Sequence, residues 1–288
     1  MFEGIEKYEN VNLAEYTTLH INSSARWFLL PKDKEELEKV LFECRLCGID
    51  FFVLGGGSNV VASDNGFAGA IISMKRFDQI ELLGENKIKV GAGVNLFVLN
   101  HFCQSKGFTG IEWSYGIPAS VGGAVKMNAG AYGGEFCFFV KEVVVFDGVK
   151  TKIRKNLTYS YRKGCLKKNE ILLYAVLQLE DGDKKQILDS MLSVLKKRKE
   201  CQPYGEFSVG SVFKRGKDFF PAKVIEEMGY KGKRKGEMEV STKHSGFIVN
   251  NGKGKAEDFL SLVCEIEAKA RERGFLFERE FVSLGFEE

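Results

Sequence analysis

The sequence predicts an α+β fold in which short buried strands alternate with amphipathic helices and glycine-rich loops. Apolar runs of strand length occur at 51–54 and 140–146, and apolar residues recur at helical spacing over 184–199. Two glycine-dense runs, 55–59 and 116–124, each follow an apolar or aromatic stretch. Glycine-rich segments interrupt regular structure, so we place both runs in loops that follow regular elements.

Helix and strand boundaries follow from caps and from apolar spacing. Asp33, with Glu36 three residues later, is a capping signal, and Gly107 ends a second helical pattern. The apolar face of the first helix comprises Leu37, Val40, Leu41 and Cys44. We predict helices over about 33–47, 95–106, 184–199, 221–228 and 256–273. We predict strands over about 50–54, 69–73, 140–146, 171–179 and 246–250, with a hairpin turn at 84–86.

The chain is long enough for more than one domain. Its 288 residues exceed a single small core, and we expect three segments, 1–75, 76–203 and 204–288. A basic tail at 196–199 leads to Cys201-Gln202-Pro203, where we place the linker before the last segment.

The composition favours small-molecule chemistry. A net charge of +3 with 28% charged residues predicts no binding to nucleic acid and no adhesion to a membrane surface. Because the sequence has no apolar leader and no apolar stretch of membrane-spanning length, we expect a cytoplasmic protein without membrane insertion. Seven cysteines, an odd number, favour a reducing compartment. Cys44 and Cys47 form a C-x-x-C pair with no second Cys or His pair near it, so we interpret it as core and predict no metal site.

The first glycine run is suited to binding phosphate through backbone groups. Gly55, Gly56 and Gly57 allow main-chain N–H groups to approach an anion closely, and Ser58 and Asn59 add a hydroxyl and an amide. The consecutive glycines do not match G-x-G-x-x-G, and the sequence contains no G-x-x-x-x-G-K-[ST]. Taken alone, the run is equally compatible with a glycine-rich turn between two strands.

The second run extends over residues 116–134 with almost no charge and with many residues that tolerate unusual backbone angles. We predict that this segment wraps a planar hydrophobic cofactor, a flavin, with Pro118 fixing one turn. The alternative is Gly-Ala-rich chain that packs tightly between sheets. The cofactor-binding candidates in this segment are Gly116, Ile117, Pro118, Ser120, Gly122, Gly123, Ala124, Asn128, Gly130, Ala131, Tyr132 and Gly133.

Several separated motifs resemble the UDP-N-acetylenolpyruvoylglucosamine reductase (MurB) family of peptidoglycan synthesis, over nearly the whole chain. The motifs, in the order of the family, are 15–19, 54–59, 64–69, 116–134, Tyr161-Arg162, 210–214, 240–250 and a final Glu278-x-Glu280. The short length is similar to the second subtype of the family, which lacks a tyrosine-bearing insertion over the substrate.

The chain also departs from the family pattern in three places. Asn22-Ser23-Ser24 stands where the family has a Gly-Gly pair, and Pro221-Ala222 stands where Ala-Gly is more frequent. Residues 277–281 replace a Leu-Glu-Pro-Glu-Val segment, with Glu280 still aligned. These departures concern local loop shape and not the chemistry.

The resemblance implies an FAD-binding fold of the vanillyl-alcohol-oxidase (PCMH) type, made of two α+β subdomains at 1–75 and 76–203, and an α+β substrate-binding domain at 204–288. It implies that NADPH reduces bound FAD, which then gives a hydride to C3 of the enolpyruvyl ether of UDP-N-acetylglucosamine to form UDP-N-acetylmuramate. No histidine or cysteine adjoins either glycine run, so we expect the FAD to be held non-covalently.

Three catalytic residues are implied by the same resemblance. Hydride addition at C3 produces an enol-like group with nearly two negative charges, which needs preorganised cations or hydrogen-bond donors. Arg162 can grip the carboxylate through two parallel N–H groups, and Glu280 can donate as a neutral acid if its pKa is raised. Ser211 is the expected proton donor to C2. Without the resemblance, Arg162 and Glu280 have the pattern of surface residues; a Ser-His-Asp hydrolase is disfavoured because no G-x-S-x-G occurs.

Substrate contacts are expected from the cation-rich segment 214–235 and its surroundings, because the UDP-sugar carries a diphosphate. The candidates are Tyr161, Lys214, Lys243 and His244; the alternative is a solvated basic face.

Two other functions stay open. One is an FAD-dependent oxidase of the same cofactor-binding fold, which anaerobic reduction by NADPH with slow reoxidation in air would exclude. The other is a non-catalytic nucleotide-sugar or flavin-binding regulator, against which Arg162, Ser211 and Glu280 argue.

Overall fold

The computed structural model describes residues 1–286. The α-helices in this part of the chain are α1 (Lys34–Leu46), α2 (Leu96–Lys106), α3 (Val121–Met127), α4 (Lys184–Cys201), α5 (Pro221–Glu227) and α6 (Ala256–Glu272). Short 3₁₀ helices lie at Leu13–Tyr16, Met74–Arg76, Glu112–Ser114 and Phe136–Phe138. The strands are β1 (Lys7–Asn12), β2 (Ser24–Leu29), β3 (Phe51–Leu54), β4 (Val60–Ala62), β5 (Phe67–Ser73), β6 (Ile80–Gly84), β7 (Lys87–Gly91), β8 (Phe108–Thr109), β9 (Gly130–Ala131), β10 (Gly134–Glu135), β11 (Val140–Phe146), β12 (Thr151–Arg154), β13 (Ile171–Gln178), β14 (Glu180–Asp181), β15 (Phe207–Ser211), β16 (Arg234–Lys235), β17 (Met238–Val240), β18 (Phe247–Asn250) and β19 (Val282–Leu284).

The chain divides into two compact units, each assembled from separate stretches of sequence. The larger unit comprises Met1–Tyr8, Trp27–Gly56 and Gly69–Lys197, and the smaller unit comprises Glu9–Arg26, Gly57–Ala68 and Arg198 onward. The sequence instead led us to expect three segments, each continuous in sequence. Their assignment as cofactor and substrate domains stays a prediction.

The larger unit is built around a five-stranded antiparallel sheet of order β12-β11-β13-β7-β6. Its central strand β13 pairs with β11 and with β7, aligning Ala175 with Val143 on one side and with Val90 on the other. In a four-stranded sheet of order β1-β2-β5-β3, β3 runs parallel to β5. The predicted apolar face of α1 is buried in the core of this unit, which confirms that Cys44 is a core residue. Cys47 is exposed, so the prediction that the C-x-x-C pair belongs to the core was wrong for Cys47.

The smaller unit combines an antiparallel sheet of order β15-β18-β17-β16 with the long helix α6. The apolar stripe of α6, including Phe259, Val263 and Ile266, is buried in the same cluster as Met238 and Ile248 of the sheet. A parallel pair of strands, β4 and β19, belongs to the same unit. This pair connects the chain just after the first glycine run to the chain just after Glu280.

Both Asp64 carboxylate oxygens cap the start of α6. They accept hydrogen bonds from the amides of Ala256 and Glu257, each at 2.9 Å. A negative charge at this position also complements the positive end of the helix dipole. A residue of the family motif 64–69 therefore fixes where the longest helix of the smaller unit begins.

The predicted helices and strands all occur, with boundaries within about two residues of those expected. Three local features differ from, or add to, the sequence prediction. Helix α3 lies inside the second glycine run, where no helix was predicted. Helix α4 continues through Cys201, so the predicted linker begins only at Gln202. Pro221, one of the departures from the family pattern, is the first residue of α5, a position where proline loses no helical hydrogen bond.

Within residues 1–286, no helix is both long enough and apolar enough to cross a bilayer. The same residues contain no cluster of three or more His, Cys, Asp or Glu side chains arranged to hold a metal ion.

Candidate active site

The first two residues of the first glycine run, Gly55 and Gly56, meet the second run in the larger unit. A Cβ atom added to Gly55 would lie 2.6 Å from the Ser120 hydroxyl oxygen, and one added to Gly56 would lie 2.8 Å from the Pro118 carbonyl oxygen. A side chain at Gly56 would collide with backbone and one at Gly55 would displace the Ser120 hydroxyl, so glycine at both positions allows the two loops to approach closely. The space that glycine leaves at both positions is taken by the second run, and contact of either run with a cofactor stays a prediction.

The second run turns into a helix immediately after this contact. Ser120 is the N-cap of α3 and accepts from the Gly123 amide at 3.3 Å. The amides of Val121 and Gly122 donate to the carbonyls of Val94 and Ala92, each at 2.8 Å. These first-turn amides therefore anchor the helix within the larger unit. Contacts of residues 122–124 with a cofactor stay a prediction.

Left-handed backbone angles are frequent in the second run, as predicted. Gly116 has φ of +87°, and Tyr132 and Gly133 have φ of +50° and +86° at the tip of the hairpin between β9 and β10. Positive φ at both central residues is the pattern of a type I′ turn. A Cβ at Gly134 would collide with the Trp113 indole, so an aromatic ring lies flush against this hairpin.

Arg162 occupies the tip of a tight turn beside that hairpin. Ser160 and Lys163 exchange two backbone hydrogen bonds of 2.9 Å, which leaves Tyr161 and Arg162 as the two central residues. Arg162 has φ of +54°, a conformation that glycine adopts more easily. Its Nη1 donates to the Gly130 carbonyl at 3.0 Å, and its guanidinium lies 5.2 Å from the centre of the Tyr161 ring. The structure thus places Arg162 against the second glycine run.

Ser211 lies at the end of β15, directly after an irregularity in the strand. Ser208 pairs with Val249 and Ser211 with Phe247, and the register shifts between the two pairs. Gly210 has φ of +79°, as expected of a glycine in a β-bulge. A bulge redirects the side chains that follow it, and Ser211 is half-buried.

Glu280 is held beside the segment that follows Ser211. Its amide donates to the Val212 carbonyl at 2.9 Å. Asn59, the last residue of the first glycine run, donates from Nδ2 to the Glu280 carbonyl at 2.9 Å, and its own carbonyl accepts from the Val282 amide at 2.8 Å. The smaller unit therefore brings Asn59, Glu280 and the chain around Ser211 together. Sequence reasoning missed this use of Asn59, for which no local pattern exists.

The remaining residues of the first run are closely packed in the smaller unit. Gly57 has φ of +65°, and a Cβ there would collide with the Tyr16 carbonyl oxygen. The Gly57 carbonyl accepts from the Thr18 amide at 3.2 Å. Residues 16–18, part of the motif 15–19, therefore pack against the first glycine run and hydrogen-bond to it.

Three of the predicted substrate contacts already have protein partners. Lys214 forms an ion pair with Glu278, and the Lys243 ammonium donates to the Lys199 carbonyl. His244 Nδ1 accepts from the Gly246 amide at 3.1 Å, so the neutral ring carries its proton on Nε2. Burial lowers the pKa of His244, which keeps the ring neutral at neutral pH.

Arg162 belongs to the larger unit, whereas Ser211 and Glu280 belong to the smaller one. Their convergence on one reacting group stays a prediction, as do the substrate contacts of Tyr161, Lys214, Lys243 and His244.

Comparisons with known proteins define the class of the chain. A family model described as an FAD binding domain matches residues 25–151, and together with the α+β fold and the contacting glycine loops this makes the chain an FAD-containing oxidoreductase. A second model, the C-terminal domain of UDP-N-acetylenolpyruvoylglucosamine reductase, matches residues 202–283. The chain belongs to the UDP-N-acetylenolpyruvoylglucosamine reductase family.

Individual relatives agree with this assignment. The chain is 37% identical to UDP-N-acetylenolpyruvoylglucosamine reductase of Clostridium novyi (strain NT) over 268 residues, which cover 92% of this chain and 87% of the relative. It is 38% identical to the reductase of Pseudothermotoga lettingae over 268 residues, covering 90% and 91%. The crystal structure of the reductase from Thermus caldophilus matches with a TM-score of 0.83 at 33% identity, covering 97% of this chain and 98% of that one.

A more distant structure shares the fold alone. A glucose dehydrogenase, 14% identical, matches with a TM-score of 0.52 over 61% of this chain and 41% of its own. The fold class and the family expected from the sequence are confirmed.

Proposed function

We propose that this protein is an NADPH-dependent, FAD-containing reductase that converts the enolpyruvyl ether of UDP-N-acetylglucosamine to UDP-N-acetylmuramate in the cytoplasm. The observation that carries the proposal is the pair of family matches, an FAD-binding domain at 25–151 followed by the C-terminal domain of this reductase family at 202–283. The names of the relatives supply the substrate class.

The FAD would be held non-covalently by the two glycine runs, chiefly Gly55–Asn59 and Gly116–Ala124. The close approach of the two runs at Gly55 and Gly56 supports this assignment, because it brings two glycine-rich segments side by side in the larger unit. When bound, FAD supplies the hydride that it has received from NADPH.

Arg162 would stabilise the charge that develops on the substrate carboxylate. Its guanidinium is permanently charged and has two parallel N–H groups for a carboxylate. The strained backbone at this position supports a functional role. A non-glycine residue with φ of +54° costs free energy, and a catalytic role of the side chain would account for arginine at this position.

Ser211 and Glu280 would complete the reaction at C2. Ser211 would give its Oγ proton to C2, and Glu280, as a neutral acid, would donate a hydrogen bond to the same charged group. Their adjacent backbone segments support this division of roles, since the Glu280 amide donates to the residue after Ser211.

The proposal is tested by separating the two halves of the reaction. The purified protein should show a flavin absorption spectrum, lose it on anaerobic addition of NADPH, and regain it rapidly with UDP-N-acetylglucosamine enolpyruvate. Ser211→Ala should leave reduction by NADPH near normal and abolish most of the reoxidation by substrate. Ser208→Ala, on the same strand before the bulge, is the matched control and should retain both steps.

Two results would contradict the proposal. Reoxidation of the wild-type protein by oxygen but not by the enolpyruvyl substrate would favour the oxidase alternative. Equal loss of both half-reactions in Ser211→Ala would remove the proton-donor role from Ser211.

A further inference from the structure

The side-chain amide of Asn128 is occupied by protein partners. The residue is 1% exposed, and its Nδ2 donates to the Glu135 carboxylate at 2.8 Å and to the Ser160 carbonyl at 3.0 Å. Its Oδ1 accepts from the Cys137 amide at 3.0 Å. Both donor hydrogens and the acceptor oxygen of the amide are therefore used inside the larger unit. The sequence had predicted this residue as a cofactor contact.

One of these bonds ends on the turn that presents Arg162. Ser160 is the first residue of that turn, and its carbonyl also accepts from the Lys163 amide. The chain after the turn is fixed to the same helix end, because the Gly164 amide donates to the Lys126 carbonyl at 3.1 Å and a Cβ at Gly164 would collide with the Val125 carbonyl. The turn is thus attached on both sides to the last residues of α3.

We propose that Asn128 is a positioning residue that sets the location of the Arg162 guanidinium by holding the Ser160 carbonyl. The inference deepens the proposed function, since it rests on the role given there to Arg162. The hydrogen bond from Asn128 restrains the turn, because the side-chain amide has a fixed orientation. Such a restraint is needed since a central residue of the turn, Arg162, is in an unfavourable backbone region. Glu135 and the Cys137 amide fix that orientation from the other side.

Helix capping alone does not account for Asn128. The residue is the C-cap of α3 with φ of +44°, and asparagine or glycine is common in such positions. Capping uses only the backbone of Asn128, whose N–H donates to Ala124 and Val125 carbonyls. The three side-chain hydrogen bonds are additional, so variants can separate the two roles.

Two variants make the separation. Asn128→Gly keeps the left-handed cap and removes every side-chain bond. Asn128→Asp keeps the shape and the acceptor for the Cys137 amide, but loses both donors and faces the Glu135 carboxylate. The matched control is Asn100→Asp, because Asn100 is also 1% exposed and donates to the Leu96 carbonyl and the Ser114 hydroxyl at 2.8 Å.

The test measures hydrogen exchange and the two half-reactions on each FAD-loaded protein. In both Asn128 variants we expect exchange in the peptide 157–166 to accelerate about tenfold, the equivalent of one lost hydrogen bond. Reoxidation by the enolpyruvyl substrate should slow about 100-fold, as expected of a catalytic group displaced by about 1 Å. Reduction by NADPH should fall by less than about threefold, and Asn100→Asp should match the wild type in the peptide 157–166 and in reoxidation.

Unchanged reoxidation in Asn128→Gly would overturn the inference. Slow reoxidation with unchanged exchange in 157–166 would also overturn it, because Asn128 would then act by direct contact and not through the turn. Failure of the proposed function gives a different result, namely wild-type protein that the enolpyruvyl substrate does not reoxidise.

Discussion

The backbone of Arg162 allows its chemical role to be separated from its structural cost. Replacing Arg162 by glycine or by alanine removes the guanidinium and its hydrogen bond to the Gly130 carbonyl in both variants. The two variants differ in how well they tolerate φ of +54°. Glycine adopts this conformation freely, whereas alanine is strained there.

The size of the difference follows from two opposing terms. A non-glycine residue in the left-handed region costs about 1–2 kcal/mol. Glycine in place of alanine costs about 0.5–1 kcal/mol, because it frees the unfolded chain. We therefore expect Arg162→Gly to be more stable than Arg162→Ala by about 0.7 kcal/mol, or about 2 °C in Tm for a chain of this size. At a residue with ordinary φ the order would be reversed.

The rates of reoxidation by the enolpyruvyl substrate should not follow the order of stability of the two variants. Both variants lack the cation that we propose to face the developing negative charge, and loss of one preorganised donor of this kind costs about 100-fold to 1000-fold in rate. The assay is stopped-flow reoxidation of the reduced protein by the enolpyruvyl substrate, with Tm measured on the same samples. A more stable alanine variant would refute the left-handed turn. A glycine variant that is reoxidised at the wild-type rate would refute the role of the guanidinium.

Three further predictions follow from other parts of the molecule. Asp64→Ala should lower the free energy of unfolding by about 1–2 kcal/mol in urea titrations, since it removes two cap bonds from α6, and a loss below about 0.3 kcal/mol would contradict that role. Burial lowers the pKa of His244 from its ordinary value of 6.5, so the unfolded chain takes up the proton first as pH falls. Stability should therefore decline as the pH falls through the ordinary histidine pKa of 6.5, less steeply in His244→Gln, and parallel slopes would refute this. A thiol reagent should modify the three exposed cysteines of the native protein, and a fourth rapid reaction would contradict the burial pattern. The exposed thiols are Cys47, Cys201 and Cys264, and the buried ones are Cys44, Cys103, Cys137 and Cys165.

Local sequence patterns were sufficient for most of the fold. Apolar spacing and caps predicted α1, α2, α4, α5 and α6 because each of these helices carries its own signal. Helix α3 was missed, since Gly122 and Gly123 have poor helix propensity. The helix forms because Ser120 caps it and because glycine at 122 allows close approach to Ala92, whose carbonyl oxygen would lie 3.1 Å from a Cβ at that position. Such tertiary contacts leave no periodic trace in the sequence.

For the candidate site too, the sequence predicted some features and not others. The glycines of both runs were predicted from their composition, and their close approach is a direct consequence of lacking a Cβ. The resemblance supplied Arg162, Ser211 and Glu280, but neither it nor the composition predicted the supports of those residues. Asn128 donates to Ser160, 32 positions away in the sequence, and Asn59 donates to Glu280, 221 positions away. A single sequence does not indicate which residues so far apart form a hydrogen bond.

The two asparagines predicted as cofactor contacts, Asn59 and Asn128, also have partners within the protein. Each stands in or directly after a glycine-dense stretch, where an amide side chain suits a phosphate or a ribose. In the structure, each donates to a backbone carbonyl of a segment that carries a proposed catalytic residue. Glycine-rich backbone close to a ligand has no side chains to stiffen it, so its conformation must be fixed from outside. An asparagine in such a run can do this with one amide group, and under the proposed function this links the shape of the loop to the placement of the proposed catalytic side chains.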